Sequence, residues 1–377
     1  MDGVEIAVEG DRLVHAGPDV AMTVEVGGRL RGGLINGHDH LHRNHYPRLG
    51  SPPYEDAYAW GRDIHERAAP TISRARSVDR RDALLFGALK NLIAGATTVV
   101  HHDLWEPAFD DGFPIRVPQV RTVHSLGIEP GRAAHPPGDA RAPLCVHLAE
   151  GITPRMADEV READRLGLLH ERLIAVHAVG VDPDGIDLME RRGVAVAWCP
   201  TSNHFLFGRT APRELLDRVD VVLGSDSLLT GAGTLLDELR EARAIGLVDD
   251  DRLLASVDGV VADRLGLPRP CLRAGAPADV IVLATSLVEA TCEDVLLVIV
   301  AGLPRVADER YAELFELLGI TPERLRVGRT ERLVSAPLGA VAERILADWP
   351  EAGRIFETPT GATVGREGSR AAAMSTS

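Results

Sequence analysis

The stretch Gly33-Leu-Ile-Asn-Gly-His-Asp-His-Leu-His42 limits what this chain can fold into more than any other. Its apolar start, Leu34-Ile35, reads as a buried strand, and it ends in His38, His40 and His42 at alternate positions. In extended backbone, side chains two apart share a face. His38 and His40 at a strand end can therefore reach one metal ion together. Neutral imidazole is a common ligand for zinc or iron. The alternative is three unrelated surface histidines, and the rest of the chain weighs against it.

Four later stretches also end apolar runs in polar groups: Cys145-Val-His-Leu-Ala-Glu150, Ile174-Ala-Val-His-Ala-Val-Gly180, Trp198-Cys-Pro-Thr-Ser-Asn203 and Val222-Leu-Gly-Ser-Asp-Ser227. Functional groups of a parallel barrel sit at the C-terminal ends of its strands. Between these runs lie helical patterns such as Pro154 to Leu169 and Asp182 to Arg192, and Asp82 to Ala94 precedes Thr97-Thr-Val-Val-His-His102. Alternating β and α units predict an α/β fold with a parallel sheet. Residues 33–267, about 235 in all, suit a (β/α)8 barrel. The segment from His102 to Cys145 is too short for two strands and their crossovers. Val120 to His124 supplies one strand, so a barrel trimmed between strands 2 and 5 is expected.

The two flanks of this region read differently. Val4 to Glu9 and Thr23 to Val26 alternate apolar and polar residues and read as short antiparallel strands. They need partners, and Ala278 to Leu283 and Val295 to Val300 are candidates. Residues 268–306 thus hold candidate partners for the strands of residues 1–32. Residues 307–360 read as C-terminal helices, with Asp308 to Leu318 and Ala336 to Trp349 amphipathic. Residues 361–377 read as a disordered tail.

Composition removes several classes of function. A net charge of −15 argues against nucleic acid, whose phosphates call for Lys and Arg. The four cysteines, Cys145, Cys199, Cys271 and Cys292, are widely spaced and form no C-x-x-C pair, which excludes a zinc knuckle. No signal-peptide pattern and no membrane-length apolar run is present, so a cytoplasmic protein without a membrane partner is expected.

Taken in order, the histidine stretch and the four later ones resemble the amidohydrolase superfamily, in particular its chlorohydrolase and deaminase branch. Ser227 to Glu238 and Leu272 to Leu283 resemble it too. The resemblance implies that both chain ends join in a small β-sandwich beside the barrel. It implies that His147 and Asp226 complete a metal site with His38 and His40, holding one divalent ion per chain, Zn2+ or Fe2+. It also implies that Glu150 shuttles protons, that His177 contacts the bound water or the developing oxyanion, and that Asp226 accepts a proton. The binuclear members bridge two metals with a carboxylated lysine. The only lysine, Lys90, lies in a helical pattern and argues against such a centre.

Candidate substrate contacts are His42, Asn44 and His45 in the loop after the first strand, Trp60, His102, Asn203 and His204. Trp60 suits the core as well as a stacking role, and His102 suits the orientation of a ligand histidine. The expected activity is hydrolytic deamination of a nitrogen-rich heterocycle, a small-molecule substrate. Hydrolysis of a cyclic amide, or displacement of chloride or an alkylamine, would use the same centre. A catalytically inactive scaffold is the non-enzymatic alternative. Family habit implies a homodimer.

Overall fold

A computed structural model describes residues 5–357 apart from Asp19, Ala21 and Asp111. The proposed tail, 361–377, and the start of the chain lie outside the described residues. Short strands β1 (Ala7–Glu9) and β2 (Arg12–Val14) form a hairpin, and β3 is Arg29–Gly32. Then come seven strands with mostly helical crossovers: β4 (Leu34–Asp39), β5 (Ala96–His101), β6 (Arg121–Ser125), β7 (Leu144–Leu148), β8 (Leu173–His177), β9 (Ala195–Trp198) and β10 (Val221–Leu223). Five more follow: β11 (Val280–Leu283), β12 (Val295–Val300), β13 (Leu303–Ala307), β14 (Pro322–Val327) and β15 (Thr330–Ser335).

The seven middle strands are all parallel, in a five-stranded sheet of order β10-β9-β8-β7-β6 and a two-stranded sheet β4-β5. They are almost wholly buried, as expected of strands covered on both faces. The two sheets meet where the Ser225 and Asp226 N–H groups donate to the His38 carbonyl at 3.0 and 3.1 Å. Helices Arg80–Leu92, Pro154–Arg165 and Pro183–Arg191 lie close to their expected positions.

Between β5 and β6 no strand forms among the described residues. Where a further strand would stand, Arg116 makes a single parallel bridge to Thr98. Its N–H and C=O pair with Thr97 and Val99 at 3.0 and 2.9 Å. Pro114 and Pro118 flank it closely, and proline cannot donate to a ladder.

The chain ends do pair with each other. β11 accepts β3 on one side and β12 on the other, within a six-stranded antiparallel sheet of order β14-β15-β13-β12-β11-β3. Among the described residues this end is one sheet plus the β1-β2 hairpin, tied by a bridge from Arg12 to Pro277. Two expectations need correction. Thr23 to Val26 is not a strand; the pairing falls on Arg29–Gly32 instead, leaving Val24 and Val26 to pack against the apolar cluster that includes Leu296 and Tyr311. The 307–360 region is not helical throughout: β14 and β15 extend the sheet, and helices Ala312–Leu317 and Leu338–Asp348 flank them. Leu325 and Val327 alternate with exposed charges, which is the period of a strand, and the turn at Gly328 takes φ 57°.

Candidate active site

Every sequence-derived metal candidate stands at the same end of the parallel strands. His38 lies near the end of β4 and His40 just beyond it; His147 is in β7, His177 ends β8, and Asp226 follows β10. Three strand ends carry non-glycine residues in left-handed backbone: Ala149 at φ 53°, His177 at 70° and Asp226 at 51°. Such conformations cost about 1–3 kcal/mol each and collect where geometry serves function.

The side chains converge. Ligand atoms of His38, His40 and Asp226 lie within 4.8 Å of one another, and so do those of His38, His147 and His177. His38 Nε2 is 3.7 Å and His40 Nε2 3.9 Å from Asp226 Oδ1. The His38 ring centroid stands 5.0 Å from both the His40 and the His147 centroid.

Neighbouring groups decide which atoms face this centre. His147 Nδ1 donates to the His124 carbonyl at 2.7 Å, which turns Nε2 inward. His177 Nδ1 meets Asn203 Oδ1 at 2.8 Å. Asn203 Nδ2 donates to Thr210 Oγ1, which also takes the Trp198 indole N–H; that fixes the amide so its oxygen faces His177. That leaves His177 Nε2 facing the centre, a position suited to ligating a metal or taking a proton. Asp226 accepts the Ser227 N–H at 2.7 Å and the Ser202 and Thr230 hydroxyls at 2.8 Å each.

Electrostatics sort the charges. Burial holds His38 below the usual imidazole range and His40 and His147 well below it; the neutral ring is the form that ligates a metal. Burial works against the Asp226 carboxylate, but the adjoining His38, with His177 and the Ser202 hydroxyl, holds the carboxyl below its usual range. Burial first, then the Asp226 and Glu159 carboxylates, push Glu150 up to about 7 against the attraction of His177. Glu150 Oε1 is 3.5 Å from His177 Nε2.

A divalent metal fits this donor set. Both ring nitrogens of His38 are buried without a hydrogen-bond partner among the described residues, whereas buried polar atoms normally find one. Neutral imidazoles and an ionised carboxylate are the donors that zinc or iron takes.

A cavity of about 520 Å³ opens over the centre, lined by His40, His147, Glu150, His177 and Asp226, with Tyr58, Trp60, Ile64 and Leu229 among its wall residues. Of the substrate candidates, His42, His45 and Trp60 line it. The other four do not. Asn44 is fully buried and bonds to Asp39 Oδ1 at 2.8 Å. His102 is buried beneath the site, stacked on His147 at 4.2 Å with its Nε2 on the Val123 carbonyl. Asn203 holds His177, and His204 turns away to Glu241. Sequence spacing placed these four near the strand ends, but the direction of each side chain follows from its packing. Tyr58, Ser125 and Glu159 border the cavity without having been singled out. Glu159 takes the Ala149 N–H at 3.1 Å and the Tyr58 hydroxyl at 2.6 Å, and so braces the backbone beside Glu150. It lies inside an ordinary helical pattern, which gives no sequence signal for it.

The fold that carries this site at its strand ends is shared with solved triazine hydrolase and adenosine deaminase structures. No protein-family model matches the chain. Its curated sequence relatives include the 5-methylthioadenosine/S-adenosylhomocysteine deaminase of Natronomonas pharaonis, 34% identical over 163 residues, 38% of each chain. The chain thus matches well under half the length of that relative. An adenosine deaminase from Xanthomonas campestris, solved with bound zinc, superposes with a TM-score of 0.62 at 18% identity, covering 91% of this chain and 93% of that one. A mutant atrazine chlorohydrolase from Arthrobacter aurescens TC1, complexed with zinc and atraton, gives 0.63 at 19%, covering 83% and 94%. Among the described residues no helix is long and apolar enough to cross a membrane.

Proposed function

We propose that this chain is a metal-dependent hydrolase that removes ammonia from an amino-substituted heterocycle of the nucleoside-base kind. One divalent ion, Zn2+ or Fe2+, would be held by His38, His40, His147 and Asp226. The observation that carries the reading is the convergence of these four groups below a cavity that also exposes Glu150. On this reading the two parallel sheets are the arcs of one trimmed (β/α)8 barrel. When bound, the metal supplies a water acidified toward neutral pH.

The chain's own groups do the rest. Glu150, held near neutrality, takes a proton from the attacking water and delivers it to a ring nitrogen or the leaving amine. A general acid–base with a pKa near the working pH contributes roughly 10²–10⁴-fold. His177, fixed by Asn203, offers Nε2 toward the same proton. Asp226, fixed by two hydroxyls and an N–H, stays ionised and orients the centre. Tyr58 and Trp60 supply aromatic walls, and His42 and His45 supply polar contacts at the mouth. The cavity volume suits a ligand of nucleoside size. The curated relatives named as nucleoside deaminases favour ammonia as the leaving group.

The test is metal content per chain by mass spectrometry, followed by ammonia release from adenosine-type nucleosides and other amino-heterocycles. About one Zn or Fe, with ammonia release lost in Glu150→Gln, is expected. Absence of metal after reconstitution with both ions would overturn the reading. Chloride or carboxylate release in place of ammonia would keep the centre and replace the reaction.

A further inference from the structure

The only lysine of the chain, Lys90, sits in the helix Arg80–Leu92 with its side chain fully buried. Lysine is almost never fully buried unless its charge is paired. Its Nζ has three protons to donate, and three acceptors meet it. Asp39 Oδ2 is at 3.2 Å, Asn44 Oδ1 at 2.9 Å and the Asp226 carbonyl at 2.6 Å.

Those acceptors are not arbitrary. Asp39 lies between His38 and His40. Asn44 closes the turn after them and accepts the Leu228 N–H at 3.2 Å. Asp226 carries the carboxylate of the site and sits in left-handed backbone. The ammonium therefore touches both the first and the last ligand-bearing segments, 136 residues from Asp226 in one case. Asn91, one residue on, donates to Asp39 Oδ2 at 2.8 Å, and Asn36 donates to Ser225 Oγ at 2.7 Å. The layer beneath the ligands is thus a closed polar network with Lys90 at its centre.

We propose that Lys90 is a positioning residue: it fixes the spacing between the His38–His40 segment and Asp226, and through it the affinity of the centre for its metal. The inference rests on the metal reading above. A lysine that merely neutralised Asp39 would need only the ion pair. The bonds to Asn44 and the Asp226 carbonyl go to groups that hold the ligand segments in register. Groups that orient metal ligands typically set metal affinity by about 10–100-fold.

Removing one partner of a buried ion pair is strongly destabilising, whereas removing both charges together is tolerated. The informative protein is therefore Lys90→Met combined with Asp39→Asn. Asp39→Asn alone, which keeps Lys90 on Asn44 and the Asp226 carbonyl but leaves its charge unpaired, is expected to lose stability and is the control for Zn2+ affinity only, measured at a temperature where it is folded. Zn2+ affinity is measured by competition with a chromophoric chelator, and thermal unfolding of the metal-free proteins runs beside it. The double variant is expected to unfold cooperatively near the wild-type midpoint yet bind Zn2+ about 10–100-fold more weakly, with the control closer to wild type. Equal Zn2+ affinity in the folded double variant and the control overturns the inference. Lys90→Leu in the same background carries the same two outcomes if the Met form does not fold. Wild-type protein that takes up neither Zn2+ nor Fe2+ overturns the metal reading and this inference with it.

Discussion

Replacing Glu150 with Gln separates stability from chemistry at this site. The carboxyl is 13% exposed and is pushed up to about 7 from an ordinary value of 4.5, mainly by burial. The native state therefore holds this proton more tightly than the unfolded chain does. Below about pH 4.5 both states are protonated and the group costs nothing. As the pH rises toward 7 the unfolded chain ionises first, and stability is lost. Above 7 the full cost is present. Each pH unit between the two values is worth about 1.4 kcal/mol, so the whole interval is worth about 3 kcal/mol. Glutamine fills the same space without a charge. Metal-stripped Glu150→Gln should thus exceed the metal-stripped wild type by up to about 3 kcal/mol at pH 8, and match it at pH 4.5. Urea denaturation followed by circular dichroism at the two pH values measures this. The same variant, loaded with metal, should lose roughly 10²–10⁴-fold in kcat while keeping its metal. Equal stability of the two stripped proteins at pH 8 would refute the burial argument. Near-wild-type turnover would refute the assignment of Glu150.

Other consequences can be checked on the same protein. His147→Ala should leave the fold intact and lower bound metal well below one ion per chain, read by mass spectrometry. Asn203→Leu, which deprives His177 of its acceptor, should lower kcat about tenfold or more with little change in KM; an unchanged kcat would show that the ring needs no brace. Gly87→Ala would set a Cβ 2.2 Å from the Leu41 carbonyl oxygen, where the helix Arg80–Leu92 passes under the histidine loop. Overpacking against backbone should cost about 1–3 kcal/mol or more, seen as a lower thermal midpoint. A chelator should lower the midpoint of the metal-loaded protein and leave His147→Ala unmoved, because a ligand bound only by the native state stabilises it.

Much of this molecule was legible from local pattern. Leu34-Ile35, Thr97 to Val100 and Leu173 to Val176 are apolar runs followed by polar groups, and each became a buried parallel strand ending at the site. His38 and His40 could be paired from the sequence because strand period alone puts them on one face. The trimmed segment was readable as a shortage of residues, though not its outcome, a lone bridge at Arg116. The strands β14 and β15 were passed over because β15 owes its place to the sheet edge that β13 offers and β14 to the edge that β15 then presents, and strand propensity depends on such context.

What the sequence determined by itself is therefore periodic and local: which runs are strands and which of them end in imidazole or carboxylate. What only the tertiary structure decided is direction and neighbourhood. Asn44, His102, Asn203 and His204 sit as near to strand ends as His42 and His45, yet packing turns them from the cavity. Glu150 owes its raised pKa first to burial by the fold, then to the Asp226 and Glu159 carboxylates that the fold brings near it. Lys90, unremarkable in a helical stretch, becomes the centre of a buried network only when Asp39, Asn44 and Asp226 close around it. Side-chain period is set by the backbone each residue adopts, so it can be read along the chain. Desolvation and charge pairing depend on residues far apart in sequence, so they exist only in the fold.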